Sequence, residues 1–355
     1  MDLANFITLS LQRAVYVVLP MIIAANAILL LQLFAKKLNI VDKPSERKSH
    51  IGNIPLVGGA ATFTAFAISA SLLVPQFQVL VFLLLCLCLV LLGLADDMLD
   101  LPALLRLFVQ AAVAVAMVIY ANLHIVDIGN VFGLGDVQFG VTLSMLFTIF
   151  CTIGAINSVN MIDGLDGLLG GIISISFVTM GIIAWRGGDW VSAKLLIIFF
   201  GATLGFLIFN SRVFFSRAQV FMGDSGSMLL GFVLVWFFIK LTQGDDAPMS
   251  PVVAGWIFGL PLADTTSVII GRLRRGKSVF EAGRDHIHHQ LLDSGFSVNA
   301  AVIICCLLHL SFALTGLMAN GNESLEPLLF WSFAACVCLH HFCTPIAIKY
   351  ARQIA

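Results

Sequence analysis

Eleven apolar runs set the terms on which this chain can fold. They span roughly 14–35, 56–75, 78–95, 101–121, 139–157, 167–185, 191–210, 225–242, 251–271, 298–319 and 326–348, each close to the ~20 residues an α-helix needs to cross the hydrocarbon of a bilayer. In lipid every backbone N–H and C=O must find a partner within the protein, so runs of this length read as helices. Composition agrees: 59% of the residues are hydrophobic and 11% are charged, against about 25% charged in a soluble domain. The expectation is an all-α polytopic membrane protein of about eleven transmembrane helices. No long polar linker divides the series, so residues 1–355 read as one integral-membrane domain.

The basic residues give the series a direction. With the N-terminus outside, 15 of the 19 lysines and arginines fall on inside loops or the C-terminus, and only Arg13, Arg186, Lys194 and Lys240 fall outside. Cytoplasmic loops carry the excess of Lys and Arg, and a wrong helix count would scramble the alternation, so the pattern predicts N-out and C-in. Removal of the first run as a leader after Ala25-Asn26-Ala27 would leave Lys36 to Lys48 near an external N-terminus, against that bias. The longest outside loop, His124 to Gly140, alternates apolar residues with Gly133, Gly135 and Asp136. It reads as a small external β-hairpin, with an irregular loop as the alternative. The eight cysteines lie in apolar runs, away from the histidine cluster, and read as small buried hydrophobes instead of zinc ligands.

The richest polar clusters all fall on the inside face. The first loop holds Lys43, Arg47, Lys48, Ser49 and His50, a topology determinant or a phosphate-binding loop. Asp96 and Asp97, with Asp100, end the third run; adjacent carboxylates attract a divalent cation or a cationic partner, and a solvated helix end is the bland alternative. Asn157-Ser158-Val159-Asn160-Met161-Ile162-Asp163-Gly164-Leu165-Asp166-Gly167 follows the fifth run, where a helix would set Asp163 and Asp166 on one face. Asn210 and then Phe221-Met222-Gly223-Asp224 precede the eighth run, where Asp224 is expected to cap a helix whose N-terminus suits phosphate oxygens. Arg272 to Lys277 and Arg284-Asp285-His286-Ile287-His288-His289 close the series. Oxygen ligands dominate nearby, which favours a hard ion such as Mg²⁺ and leaves the histidines for phosphate. Carboxylates, helix N-termini, basic residues and imidazoles on one membrane face point to phosphoryl chemistry. Asp264 stands apart, inside the ninth run, where an ionised carboxylate is costly and must face the bundle. His309, His340 and His341 also lie within apolar runs and are expected to serve packing or helix-to-helix hydrogen bonds.

These five motifs, in this order between about residues 36 and 295, resemble the polyprenyl-phosphate N-acetylhexosamine-1-phosphate transferases. The His286-Ile287-His288-His289 form is similar to the WecA-type branch, whereas the MraY-type branch has three consecutive histidines; Ile54-Pro55-Leu56-Val57-Gly58-Gly59 also departs from the MraY pattern. The resemblance implies transfer of N-acetylglucosamine 1-phosphate from UDP-N-acetylglucosamine to undecaprenyl phosphate with release of UMP. That reaction is the first membrane step of a cell-envelope polysaccharide such as O-antigen or enterobacterial common antigen. Another UDP-N-acetylhexosamine is the nearest alternative donor. A transporter, which needs a midplane site, and a membrane lipid phosphatase are the readings from other classes.

The resemblance further implies Mg²⁺ or Mn²⁺ on Asp224 and Asn160, with Asp96, Asp97 and Asp163 in the catalytic group. It places Lys48, Asn157, Asp166, Asn210, Phe221, Arg284, His286, His288 and His289 against the substrates. Whether Asp96 or Asp97 takes a proton, orients the lipid phosphate or carries a phosphoryl group stays open at this stage, because a phosphate monoester with a second pKa near 6 needs little deprotonation. The expected setting is the bacterial inner (plasma) membrane, multi-pass, with the site facing the cytoplasm. The expected partners are the two substrates, membrane lipid and a second copy in a homodimer, with no nucleic acid.

Overall fold

The structure is a computed structural model that describes residues 3–42, 52–75, 80–279 and 283–354. The basic loop predicted to bind phosphate, including Lys48, lies outside the described residues. The chain runs α1 (Leu3–Ala35), β1 (Val41–Asp42), β2 (Ile54–Pro55), α2 (Gly58–Leu73), α3 (Leu80–Leu99), α4 (Ala103–Ala121), α5 (Val141–Ile162), α6 (Leu168–Arg186), α7 (Trp190–Asn210), α8 (Gly223–Thr242), α9 (Pro251–Ile257), α10 (Gly259–Arg274), α11 (Ile287–Asp293), α12 (Val298–Ala319), a 3₁₀ turn and α13 (Glu326–Ile354). Each of the eleven apolar runs becomes helix. Among the described residues nine helices are long and apolar enough to cross a membrane, and the bent pair α9–α10 adds a tenth. α2, the eleventh apolar segment, has 16 residues, about 24 Å at the helical rise and short of a full hydrocarbon core.

α8 is the axis of the bundle. Its apolar window is 94% buried inside the protein, against 67% for α6, 61% for α7 and 17% for α1. Lipid tails are as apolar as leucine, so helices in a membrane associate through close packing and small residues. α7 shows this directly. A Cβ on Gly201 would stand 2.4 Å from the Val17 carbonyl oxygen, and one on Gly205 2.4 Å from that of Met21. The two glycines, four apart, let α1 lie backbone to backbone on α7. At the polar end, Gly59 of α2 and Gly93 of α3 meet the first turn of α8 in the same way, with built Cβ atoms 2.2 Å from the Gly226 nitrogen and 2.3 Å from the Ser225 nitrogen. The N-terminus of α8 is thereby pinned between two neighbouring helices.

The break between α9 and α10, an 80° bend, follows from Pro261. Proline has no N–H, so the Ile257 carbonyl four residues earlier loses its helical donor. That carbonyl instead accepts a bond from Ser176 Oγ of α6 at 3.2 Å, and Ser176 also meets His309 Nε2 of α12 at 2.9 Å. His309 thus serves a helix-to-helix bond, as expected from its position.

The loops sort into two ends, as the charge alternation requires. One end gathers the polar motifs. The other ties Val126 N to Gln243 Oε1 at 2.8 Å, Asn320 Nδ2 to the Pro248 carbonyl at 2.9 Å, and Asn130 N to Glu326 Oε2 at 2.6 Å. The hairpin expected between His124 and Gly140 is reduced to a single antiparallel bridge, Asp127 with Gln138, because Gly129, Gly133 and Gly135 take positive φ and curl the segment between. The two-stranded pairing of β1 with β2 was not anticipated. It sets Pro55 beside Phe221, whose N–H donates to the Pro55 carbonyl at 2.9 Å.

Candidate active site

The site is built around the first turn of α8. Helix-initial N–H groups lack intrahelical partners and need an acceptor. Asp224 was expected to cap this helix, but it occupies the second helical position. The acceptor comes from α3: Asp97 Oδ1 takes the Asp224 N–H at 2.9 Å and Oδ2 takes the Ser225 N–H at 3.4 Å. Gly223 makes room for this. It has φ +72° and a Cβ there would lie 2.6 Å from Asp97 Oδ2. Asp97 thus accepts from two backbone amides, and the first turn of α8 is capped by a side chain of α3 in place of Asp224.

Freed from capping, Asp224 turns to α5. Asn160 Nδ2 lies 2.5 Å from Asp224 Oδ1 and 2.8 Å from Ser227 Oγ. Asp96, buried beside Asp97, accepts from Arg106 Nη1 at 2.6 Å and from the Leu101 N–H at 2.8 Å. Arg106, one turn into α4, counts in the sequence among the basic residues of the inside loops, and its ion pair with Asp96 ties α4 to the end of α3. Asp100 stays apart, exposed and left-handed at the end of α3.

Asp163 and Asp166 do not share a helical face. α5 stops at Ile162, and Asp163 to Gly167 form a loop closed by Gly167 at φ +88°. Asp163 faces inward, where burial, then the charges of Asp224 and Asp166, raise its carboxyl to about 7. Asp166 turns the other way, accepting from Arg212 Nε at 2.8 Å and from the Ala218 N–H at 3.2 Å. Asn210 holds this loop against the segment before α8, taking the Gly167 N–H at 2.8 Å and donating to the Val220 carbonyl at 2.9 Å. Asn157 donates to Gln110 Oε1 of α4 at 2.8 Å and so joins two helices away from the carboxylates. A cavity of about 580 Å³ opens beside Asp166 and Arg212, walled by Leu204, Leu207, Ile208, Val302 and Ile303.

The histidine motif closes the other side. A Cβ on Gly164 would come 2.2 Å from His288 Nε2, so the imidazole rests on that backbone. His288 is 0% exposed and neither ring nitrogen has a hydrogen-bond partner. An orphaned pair of buried ring nitrogens is costly and is chemically suited to a polar ligand. Burial, then the neighbouring His289, pushes the His288 imidazole down to about 3, and burial followed by Arg284 also lowers His289. His286 and His288 stack at 5.8 Å with ring planes 13° apart. Arg284 lies at the surface, bonded to Asp293 at 2.7 Å. Asp285 is held by Arg272 at 3.3 Å and Arg275 at 3.1 Å.

A hard divalent cation fits the carboxylate side by charge and donor type. Asp224 and Asn160 supply adjacent oxygen-bearing groups, and Asp163, its carboxyl raised first by burial and then by the charges of Asp224 and Asp166, lies close by. Among the described residues no three His, Cys, Asp or Glu side chains form a ready-made cage. That suits Mg²⁺, which keeps waters and substrate phosphates as ligands and takes only one or two carboxylates from the protein.

The family described as glycosyl transferase family 4 matches residues 79–242, the stretch from α3 to α8 that carries the Asp97, Asn160 and Asp224 contacts. The chain is similar over 90% of its length to proteins named undecaprenyl-phosphate alpha-N-acetylglucosaminyl 1-phosphate transferase. Identity is 35% over 331 residues with that of Escherichia coli O157:H7 and 37% over 322 residues with that of Salmonella typhi, each covered over 88% of its own length. It is 34% over 322 residues with that of Haemophilus influenzae, 90% covered. With three motif groups packed around one helix end and similarity running through nearly the whole chain, this protein belongs to the polyprenyl-phosphate N-acetylhexosamine-1-phosphate transferase family, among its WecA-type members.

Proposed function

We infer that this protein transfers N-acetylglucosamine 1-phosphate from UDP-N-acetylglucosamine to undecaprenyl phosphate, releasing UMP. The observation that carries the reading is the meeting of four motifs: Asp97 and Asp224 at the start of α8, Asn160 against Asp224, and His288 against Gly164. A lipid phosphate oxygen attacks the sugar-bearing phosphorus, the bond to the bridging oxygen breaks, and UMP leaves with that electron pair. Undecaprenyl phosphate is mostly dianionic at neutral pH, so the attacking oxygen needs little deprotonation. Asp224 and Asn160 would hold Mg²⁺ or Mn²⁺, which when bound would neutralise charge on the diphosphate.

The remaining steps belong to the chain. His288 donates a ring N–H to a diphosphate oxygen, and His286, His289 and Arg284 complete the basic side. Asp97 holds the first turn of α8 in place and so fixes Asp224. Asp96, paired with Arg106, and Asp163 border the path of the lipid phosphate. Asp166, Asn210 and Phe221 shape the nucleotide side, with the uridine between them. Lys48 is a further substrate contact in this reading. The basic excess of the inside loops supports a site at the cytoplasmic side of a bacterial inner membrane, N-out and C-in, where soluble nucleotide sugar and a membrane-held phosphate can both enter. A homodimer is the expected assembly. The product is the first lipid-linked sugar of a cell-envelope polysaccharide.

The test is UMP release by purified protein given UDP-N-acetylglucosamine, Mg²⁺ and undecaprenyl phosphate. Release that depends on lipid acceptor is expected. Free phosphate in its place would identify a lipid phosphatase, and uptake into vesicles without UMP a transporter. Phosphorylated enzyme with UMP release in the absence of acceptor would replace direct attack by double displacement. UDP-N-acetylgalactosamine and other UDP-N-acetylhexosamines as competitors fix the sugar.

A further inference from the structure

Asp264 is buried to 2% exposure in the membrane bundle, and the reaction as derived gives it no task. A carboxylate kept at such a depth is costly unless its oxygens are engaged. Both are. Oδ2 lies 2.7 Å from His286 Nδ1, and Oδ1 takes the Ile287 N–H at 2.9 Å. His340 Nε2, from α13, lies 3.4 Å from Oδ1, and Thr344 Oγ1 lies 3.2 Å from His340 Nδ1. The same helix meets α10 a second time through Ser267 Oγ and His341 Nδ1, 3.0 Å apart. One carboxylate therefore binds the first residue of α11, the ring before it, and an imidazole on the last helix of the chain.

We propose that Asp264, backed by His340, is a positioning residue for the histidine motif: it holds the proton of His286 on Nδ1 and fixes the plane of that ring against His288. A carboxylate only accepts, so the facing nitrogen must carry hydrogen, and Nε2 is left to face the substrate side. The parallel stacking of His286 on His288 passes that orientation to the ring that lies on Gly164. Partners that orient functional imidazoles in this way are commonly worth about 10–100-fold in activity. The proposal rests on the reading of His286 and His288 as diphosphate contacts.

The test uses full-length protein in lipid nanodiscs. Asp264→Asn keeps the size of the side chain and removes the charge; it is expected to lower lipid-dependent UMP release about 10–100-fold. His286→Ala is expected to lower it at least as much, and the Asp264→Asn/His286→Ala double variant no further than His286→Ala alone. Penalties that multiply would overturn the proposal, because Asp264 would then act on packing and not through His286. Unchanged turnover in Asp264→Asn would overturn it equally. If His286→Ala itself turns over normally, the diphosphate reading of the motif fails first, and the proposal with it. A second measurement reads the tautomer itself: ¹⁵N-labelled histidine spectra of the wild-type protein, with His286 assigned by its loss in His286→Ala. A protonated Nδ1 at neutral pH supports the arrangement, and an Nε2–H tautomer with bare Nδ1 overturns it.

Discussion

Gly164 carries the most demanding contact in the site. Its φ lies outside the left-handed region, so Gly164→Ala meets no backbone objection and tests the neighbour alone. The new Cβ would stand 2.2 Å from His288 Nε2, 2.8 Å from Cδ2 and 3.1 Å from Cε1, where ordinary contact begins at 3.4 Å. The ring must retreat by about 1 Å, and it is fully buried with His286 stacked behind it. Overpacking of this kind costs about 1–3 kcal/mol, and displacing a group that touches the reacting centre by about 1 Å costs roughly 100-fold in rate. Gly164→Ala is therefore expected to fold with a lowered melting temperature and to lose about two orders of magnitude in lipid-dependent UMP release. Adding His288→Ala should return the melting temperature toward wild type, because the clash has gone, while activity stays low. Wild-type turnover in Gly164→Ala, within about threefold, would refute the argument that His288 is held on this backbone for catalysis, given the 100-fold expectation. A double variant no more stable than Gly164→Ala would refute the steric cause.

Asp97→Ala removes the acceptor of two α8 amides and should cost about 1–2 kcal/mol by detergent melting, with Asp97→Asn, which keeps one acceptor oxygen, in between; an unchanged melt in both would contradict the capping role. For Asp163 the folded pKa of about 7 lies above the ordinary 3.8, so its contribution to stability is present below pH 4 and is lost as pH rises through 7. Mg²⁺ should then raise the melting temperature more at pH 8 than at pH 6, a difference that Asp163→Asn abolishes. His288 works in the opposite sense: its pKa falls from 6.5 to about 3, so the ligand-free protein loses stability as pH drops from 6.5 toward 3, and His288→Gln should flatten that acid limb. Gly205→Leu drives a side chain against the Met21 carbonyl and should cost about 1–3 kcal/mol, while turnover per folded molecule stays near wild type.

The apolar runs were readable because lipid leaves the backbone no choice but helix. Partner choice within the site was not. Asp97 and Asp224 both looked like metal or base candidates, yet one caps the helix that carries the other, a bond across 127 positions that no local pattern encodes. The helix assumed under Asp163 and Asp166 failed for a local reason, the two glycines that interrupt it, and those were visible. Asp264 was recognisable as costly and therefore engaged. Its partners, 22 and 76 residues away, emerge only when Pro261 has bent α9–α10.

The axial position of α8 also bears on the order in which the protein is made. Chains are synthesised and inserted from the N-terminus, so Asp97, Asn160, Asp163 and Asp224 can all meet once α8 has entered the bilayer. The imidazole that rests on Gly164 arrives more than forty residues after α8 ends, and the His340 contact that backs Asp264 arrives with the last helix. Until then the nascent protein holds a cluster of carboxylates with its basic counterpart missing. A chain released before α11 is a bundle with half a site, and the finished enzyme is the first species in which both halves face each other.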